Sequence, residues 1–212
     1  MKRRVVVTGI GMISPVGLTR ESTWKNLIAG KSGIDTISSF DTSKLQTKIA
    51  GEVNGFEPTN YLTPKQARRM DRFCQLAVAA TLEATEQAHL NVDQNNCENV
   101  SVIIASGIGG LQTLSEQFAV LQTKGPSRIS PFLVPMMLAD MASGQVSMLL
   151  GAKGPNFSTV SACSSSADAL GVAFDLVRKG IVDIAVTGGA EAAICPIGVA
   201  GFNSCKALST RN

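Results

Sequence analysis

"NFSTVSACSSSADALGVAFDLVRKGIVDIAVTGG", Asn156 to Gly189, reads as strand, helix, strand. "NFSTVSA" alternates like a pleated segment, "SSSADALGVAFDLVRKG" carries a helical pattern to a glycine stop, and "VDIAVTGG" is a second apolar run. A βαβ crossover of this length makes its two strands parallel and sets the helix N-terminus at the carboxyl end of the first strand. Cys163 stands at that junction, among residues small enough (Ala162, Ser164, Ser165, Ser166, Ala167) for another part of the chain to press closely against them.

Outward from this unit, apolar runs alternate with helical patterns, which implies an α/β architecture with a mixed, mostly parallel and largely buried sheet. "RVVVTGI" (4–10) reads as the first strand, and "STWKNLIAGKSGI" (22–34) as a helix begun by Ser22 and ended near Gly30. Residues 35–60 are polar and glycine-broken, as loops are. Residues 63–90 read as one long helix with Thr63 as N-cap, Pro64 in its first turn and a basic first half. "NVSVIIAS" (99–106) is a buried strand, residues 109–125 form a helix stopped by Gly125, and residues 131–151 give a helix opened by Pro135 and closed at Gly151.

With 212 residues, 44% apolar and 17% charged, the chain can bury a sizeable core as one large domain or two small ones. No apolar run reaches membrane length, and no signal-peptide pattern opens the sequence, so a cytoplasmic protein is expected. Five cysteines without CxxC spacing imply reduced thiols rather than a disulfide framework or a zinc site. A net charge of +3 with one Trp and one Tyr does not argue for nucleic acid.

Cys163 has two readings. A buried cysteine is ordinarily a small inert hydrophobe. At a helix N-terminus, however, free amides and the helix dipole favour an anion, and thiolate pKa values there fall from about 8.5 toward roughly 7. A sharp strand-to-helix turn would also hold the sulfur forward, as a nucleophile elbow does. Other motifs carry less. "TGIGMISPVG" lacks the third glycine of a dinucleotide fingerprint, since Ser14 and Pro15 stand there. "SGIGGL" (106–111) reads as a tight turn or a phosphate cradle, without a P-loop lysine. His89, the one histidine, belongs near a helix end at the surface, and Cys74 and Cys97 are read as packing or surface residues.

Taken together, "RRVVVTGIGMISPVG", "STWKNLIAGKSGI", "ASGIGG", "ISPFLVP", "GPNFSTVSACSSS", "VTGGAEA" and "GVAGFNSCKALSTRN" resemble the N-terminal half of an elongating β-ketoacyl-acyl carrier protein synthase of the type II branch. The resemblance implies that residues 1–212 are the N-terminal domain of a thiolase-like, five-layer α-β-α-β-α homodimer, and that Cys163 accepts an acyl chain as a thioester. Decarboxylative condensation with malonyl-acyl carrier protein would follow. The family's two histidines and lysine for that step lie in the C-terminal half, supplied by a longer chain or a separate polypeptide, so this chain alone is not expected to condense.

By the same resemblance, Ile108 and Phe202 line the acyl pocket, and Lys65, Arg68, Arg69, Arg128 and Lys206 receive the acidic carrier protein. Ser127 stands where a further basic residue is often found, and "NFSTVS" matches a strand that pairs across the dimer. No cofactor is implied beyond the carrier's phosphopantetheine arm, and neither nucleic acid nor membrane is an expected partner. The alternative is a noncatalytic half that dimerises or holds carrier protein. In the family fold the apolar helix from Ser164 to Lys179 packs on the other half, so it would lose cover without it.

Overall fold

A computed structural model describes residues 3–212; Met1 and Lys2 lie outside the described residues. The chain runs through α1 (Arg20–Ile28), a short antiparallel pair β1 (Asp35–Thr36) and β2 (Ile49–Ala50), α2 (Pro64–Ala67), α3 (Arg72–Gln87) and β3 (Val100–Ala105). It continues through α4 (Leu111–Lys124), α5 (Leu133–Met137), α6 (Met141–Leu150), β4 (Asn156–Phe157), α7 (Ser165–Lys179), β5 (Ile184–Gly189) and α8 (Pro196–Ser204).

The main sheet has the order β4-β3-β5, with β3 parallel to both neighbours. All six residues of β3 are buried, as a parallel strand covered on both faces must be. Its alternation assigns them to layers: Ile103 and Ala105 pack with Ala169 and Ala173 of α7, while Val100, Val102 and Ile104 pack with Phe73, Cys74, Ala77 and Val78 of α3 and Ala142 and Val146 of α6. Alanines on the inner helix faces let the helices sit close to the sheet. The result is an α/β/α sandwich crossed once by α7, as the strand-helix-strand reading of residues 156–189 requires.

Five elements differ from the sequence reading. The stretch 63–90 is two helices. Buried Asp71 accepts from the Phe73 amide as N-cap of α3 and also from the Thr113 amide (2.9 Å) and hydroxyl (2.6 Å), which draws the chain out of α2 toward α4. The stretch 131–151 is also divided, because the Met137 carbonyl that would continue α5 accepts instead from the Gly110 amide at 3.1 Å. Helix α1 starts earlier than expected: Thr19 is the N-cap and Ser22 its partner in a capping box.

The fourth difference concerns residues 4–10, which form no ladder among the described residues. They run extended against α3, where Gln87 accepts from the Ile10 amide and Glu83 from the Met12 amide, both at 2.8 Å. A Cβ on Gly9 or Gly11 would stand 2.0 Å from the Ala84 oxygen or 1.7 Å from the Ala80 oxygen, so these glycines serve close backbone approach rather than a dinucleotide. The apolar run reports an affinity for burial; Val6 and Val7 are nonetheless exposed.

Strand β4 is likewise shorter than "NFSTVSA". Its pairing ends at Ile103↔Phe157, and the hydroxyl of Ser143, on α6, takes over the next position. It accepts from the Ile104 amide (2.7 Å) and donates to the Phe157 carbonyl (2.8 Å), with the Ile104 carbonyl also in reach at 3.0 Å. Removing it orphans a buried N–H, which costs about 1–3 kcal/mol. We expect Ser143→Ala to lower the urea midpoint by an amount corresponding to about 1–3 kcal/mol, with an unchanged slope. We further expect Gly11→Ala, which forces backbone against backbone, to destabilise by about 3 kcal/mol or more in the same assay.

Candidate active site

Because β3, β4 and β5 are parallel, the segments that leave their carboxyl ends meet at one edge of the sheet. These are residues 106–110 after β3, 158–164 after β4 and 190–195 after β5. Cys163 lies in the second, exposed, in a 3₁₀ turn (Ala162–Ser164) that passes directly into α7. Among the described residues no acceptor is found for its amide N–H. Ala162 has φ 53°, a left-handed conformation that costs a residue bearing a Cβ about 1 kcal/mol or more.

Ser165, buried under the turn, holds that conformation. Its hydroxyl accepts from the Ser161 amide (2.9 Å) and donates to the Ala162 carbonyl (2.7 Å), and its carbonyl accepts from the Thr159 hydroxyl (2.9 Å). Ser161 also donates its hydroxyl to Asp168 in the first turn of α7, where a carboxylate suits the helix dipole. The small residues around Cys163 are pressed as expected: a Cβ on Gly189 would stand 2.7 Å from that of Ser166, and one on Gly107 would stand 3.2 Å from the Ala162 oxygen.

The remaining cysteines are placed otherwise. Cys74 is buried in the core, where burial pushes its thiol up, aided by the negative charges of Asp71 and Asp140. Cys97 and Cys195 are buried and Cys205 is exposed. His89 is exposed just past α3 with φ 50°. Among the described residues no three His, Cys, Asp or Glu side chains gather as a metal site would need, and no helix is long and apolar enough to cross a membrane.

The "SGIGG" loop resolves the choice between turn and anion cradle in an unexpected way, for it is both. The Glu191 carboxylate accepts from the amides of Gly107 (2.9 Å) and Ile108 (3.2 Å) and from the Ser106 hydroxyl (3.2 Å), so the chain's own anion fills the cradle. Ile108, on this loop, and Phe202, on α8, are both partly exposed apolar side chains. The two elements adjoin, since a Cβ on Gly198 of α8 would stand 3.3 Å from Leu111 at the start of α4. A cleft of about 510 Å³ opens nearby, lined by Arg68, Asp71, Arg72, Thr113, Met136 and Glu191 among others. Sequence reasoning passed over Glu191 and Asp71. The one signal available was the aspartate directly before the apolar helix "RFCQLAV", a regular N-cap position.

The basic residues do not share one helix as read. Lys65 lies on α2, Arg68 caps its end and Arg69 follows in the turn, all exposed. The Arg69 guanidinium stacks 4.4 Å over the Phe132 ring, which brings it to the segment that begins with Arg128. Lys206 follows the end of α8, near the Asn203 side chain that donates to Thr47. None of the five is ion-paired among the described residues.

The sequence and the fold both have counterparts among known proteins. The family model "Beta-ketoacyl synthase, N-terminal domain" matches residues 2–212. The "3-oxoacyl-[acyl-carrier-protein] synthase 2" of Synechocystis sp. is 48% identical over 211 residues, covering 100% of this chain and 51% of that protein. The protein so named in Staphylococcus aureus (strain COL) is 45% identical over 210 residues, 99% of this chain and 51% of its own. Among solved structures, the ishigamide ketosynthase/chain length factor superposes with a TM-score of 0.90 at 30% identity, over 99% of this chain and 52% of that one. A β-ketoacyl synthase from Burkholderia phymatum gives 0.87 at 28% identity, over 100% and 52%. The chain thus spans about half the length of the relatives it matches.

The exposures predict a simple labelling pattern. Iodoacetamide should modify Cys163 and Cys205 in the native protein and reach Cys74, Cys97 and Cys195 only after denaturation, as read by peptide mass mapping.

Proposed function

This chain belongs to the β-ketoacyl synthase family, and from that premise we propose that it is the nucleophile-bearing N-terminal domain, residues 1–212, of a 3-oxoacyl-acyl carrier protein synthase of fatty acid elongation. Cys163 attacks the thioester carbonyl of an acyl chain on the carrier's phosphopantetheine arm. A new C–S bond forms, the bond to the arm's sulfur breaks, and the arm leaves as a thiol with the proton that Cys163 gave up. The observation that carries this reading is the exposed sulfur on a strained turn at the start of α7, beside an amide without an acceptor. Such an amide is suited to the oxyanion of acyl transfer, where one donor is worth on the order of a hundredfold to a thousandfold in rate.

The second step, loss of carbon dioxide from malonyl-carrier protein and attack of the resulting carbanion on the thioester, needs groups this chain does not supply: its one histidine, His89, lies past α3, outside the segments that meet at Cys163. Those groups belong to the C-terminal half, for which exposed Leu170 and Phe174 on α7 offer an apolar seat. Ile108 and Phe202 bound the acyl chain, while Lys65, Arg68, Arg69, Arg128 and Lys206 steer the acidic carrier protein. The active assembly is a homodimer in the cytoplasm, in contact through the segment 156–161 that includes β4, and it uses no metal or organic cofactor of its own.

Incubation with acyl-acyl carrier protein should add one acyl mass to this chain, mapped to Cys163 and lost in Cys163→Ala. Absence of the adduct, or its persistence in that variant, removes the acyl-acceptor reading. Reversing charge with Arg68→Glu and Arg69→Glu together should slow acylation about tenfold or more at low salt, with the deficit shrinking as salt rises.

A further inference from the structure

We propose that Glu191 is a positioning residue that sets which acyl chains fit beside Cys163, an inference that rests on the acyl-acceptor reading above. Its carboxylate oxygen Oε2 accepts from both the Gly107 and Ile108 amides, and Oε1 accepts from the Ser106 hydroxyl. The Ser106 hydroxyl in turn accepts from the Gly109 amide at 2.9 Å. One carboxylate therefore ties together the polar groups of four consecutive loop residues, through bonds strengthened by its charge. The backbone beside it is itself fixed, since the Ala190 amide donates to the Ala105 carbonyl at 2.9 Å, at the end of β3.

The loop so held packs against the turn that carries Cys163. A Cβ at Gly107 would stand 3.1 Å from Glu191 Oε2 and 3.2 Å from the Ala162 oxygen, one residue before Cys163, so the carboxylate and the cysteine turn meet at the same face of Gly107. Glu191 thereby fixes the distance between the loop that carries Ile108 and the turn that carries the sulfur. Without it, two amides and a hydroxyl lose their common acceptor and the loop is free to move away from Cys163. The bulk that Ile108 presents to an incoming chain then ceases to be constant. Glu191 need not touch the acyl chain for this.

A series of N-methyl, N-hexyl and N-decyl iodoacetamides tests the inference without any acyl transfer, with the rate at Cys163 read by peptide mass mapping. In Glu191→Ala the decyl-to-methyl rate ratio should rise about tenfold over the native ratio, and the Ile108 amide should exchange hydrogen about tenfold faster. Glu191→Gln should stay within about twofold of native, because its carbonyl oxygen can take both amides while Ser106 accepts from its NH₂. Ile108→Ala should shift the ratio in the same direction as Glu191→Ala. If Glu191→Ala fails to fold, Ser106→Ala, which removes the Oε1 and Gly109 bonds, should give a smaller shift of the same sign. A native ratio in the folded Glu191→Ala protein, or an equal effect of Gln and Ala, overturns the proposal. Failure of acyl-carrier protein to acylate Cys163 overturns only the reading it rests on, since the alkylation series is independent of that chemistry.

Discussion

Everything at the candidate site follows from the burial of β3 between two parallel neighbours. Six apolar or small residues in a row give that strand no face for water, so it must carry helices on both sides and accept strands on both edges. With all three strands pointing one way, the segments after each of them meet at one edge. A cysteine after β4, a glycine-rich loop after β3 and a glutamate after β5 are thereby brought together although the first and last are separated from β3 by whole helices. Parallel pairing is the reason an α/β protein builds its sites at the carboxyl ends of its strands.

The crossover and the buried strand were legible because their signals are local and strong: a six-residue apolar run, a helical pattern of fifteen residues and a glycine stop. Cys163 could be placed at a strand-to-helix junction for the same reason. What was not legible depended on partners distant in sequence. Nothing around Asp71 announces that it binds Thr113, so the break between α2 and α3 was invisible. Likewise the Gly110 amide divides α5 from α6 by claiming a carbonyl 27 residues downstream, at Met137.

The N-terminal run shows a different limit. Valines in sequence state that a segment prefers an apolar environment, and say nothing of whether this chain provides one. Here Val6 and Val7 remain exposed while Gly9 and Gly11 lie tight against α3, so the segment is held by its glycines and by Glu83 and Gln87 rather than by a ladder. Glu191 was passed over for a related reason. An acidic residue beside a glycine pair looks like surface, and only the fold reveals that backbone amides gather around it.

The left-handed backbone at Ala162 has a consequence for how this protein can change. Glycine would adopt that conformation without the penalty its methyl group imposes, so mutation toward heat tolerance alone has an easy route at this position. Such a lineage would gain robustness while loosening the hinge that aims the neighbouring sulfur. In this chain the methyl group at that position trades durability for aim.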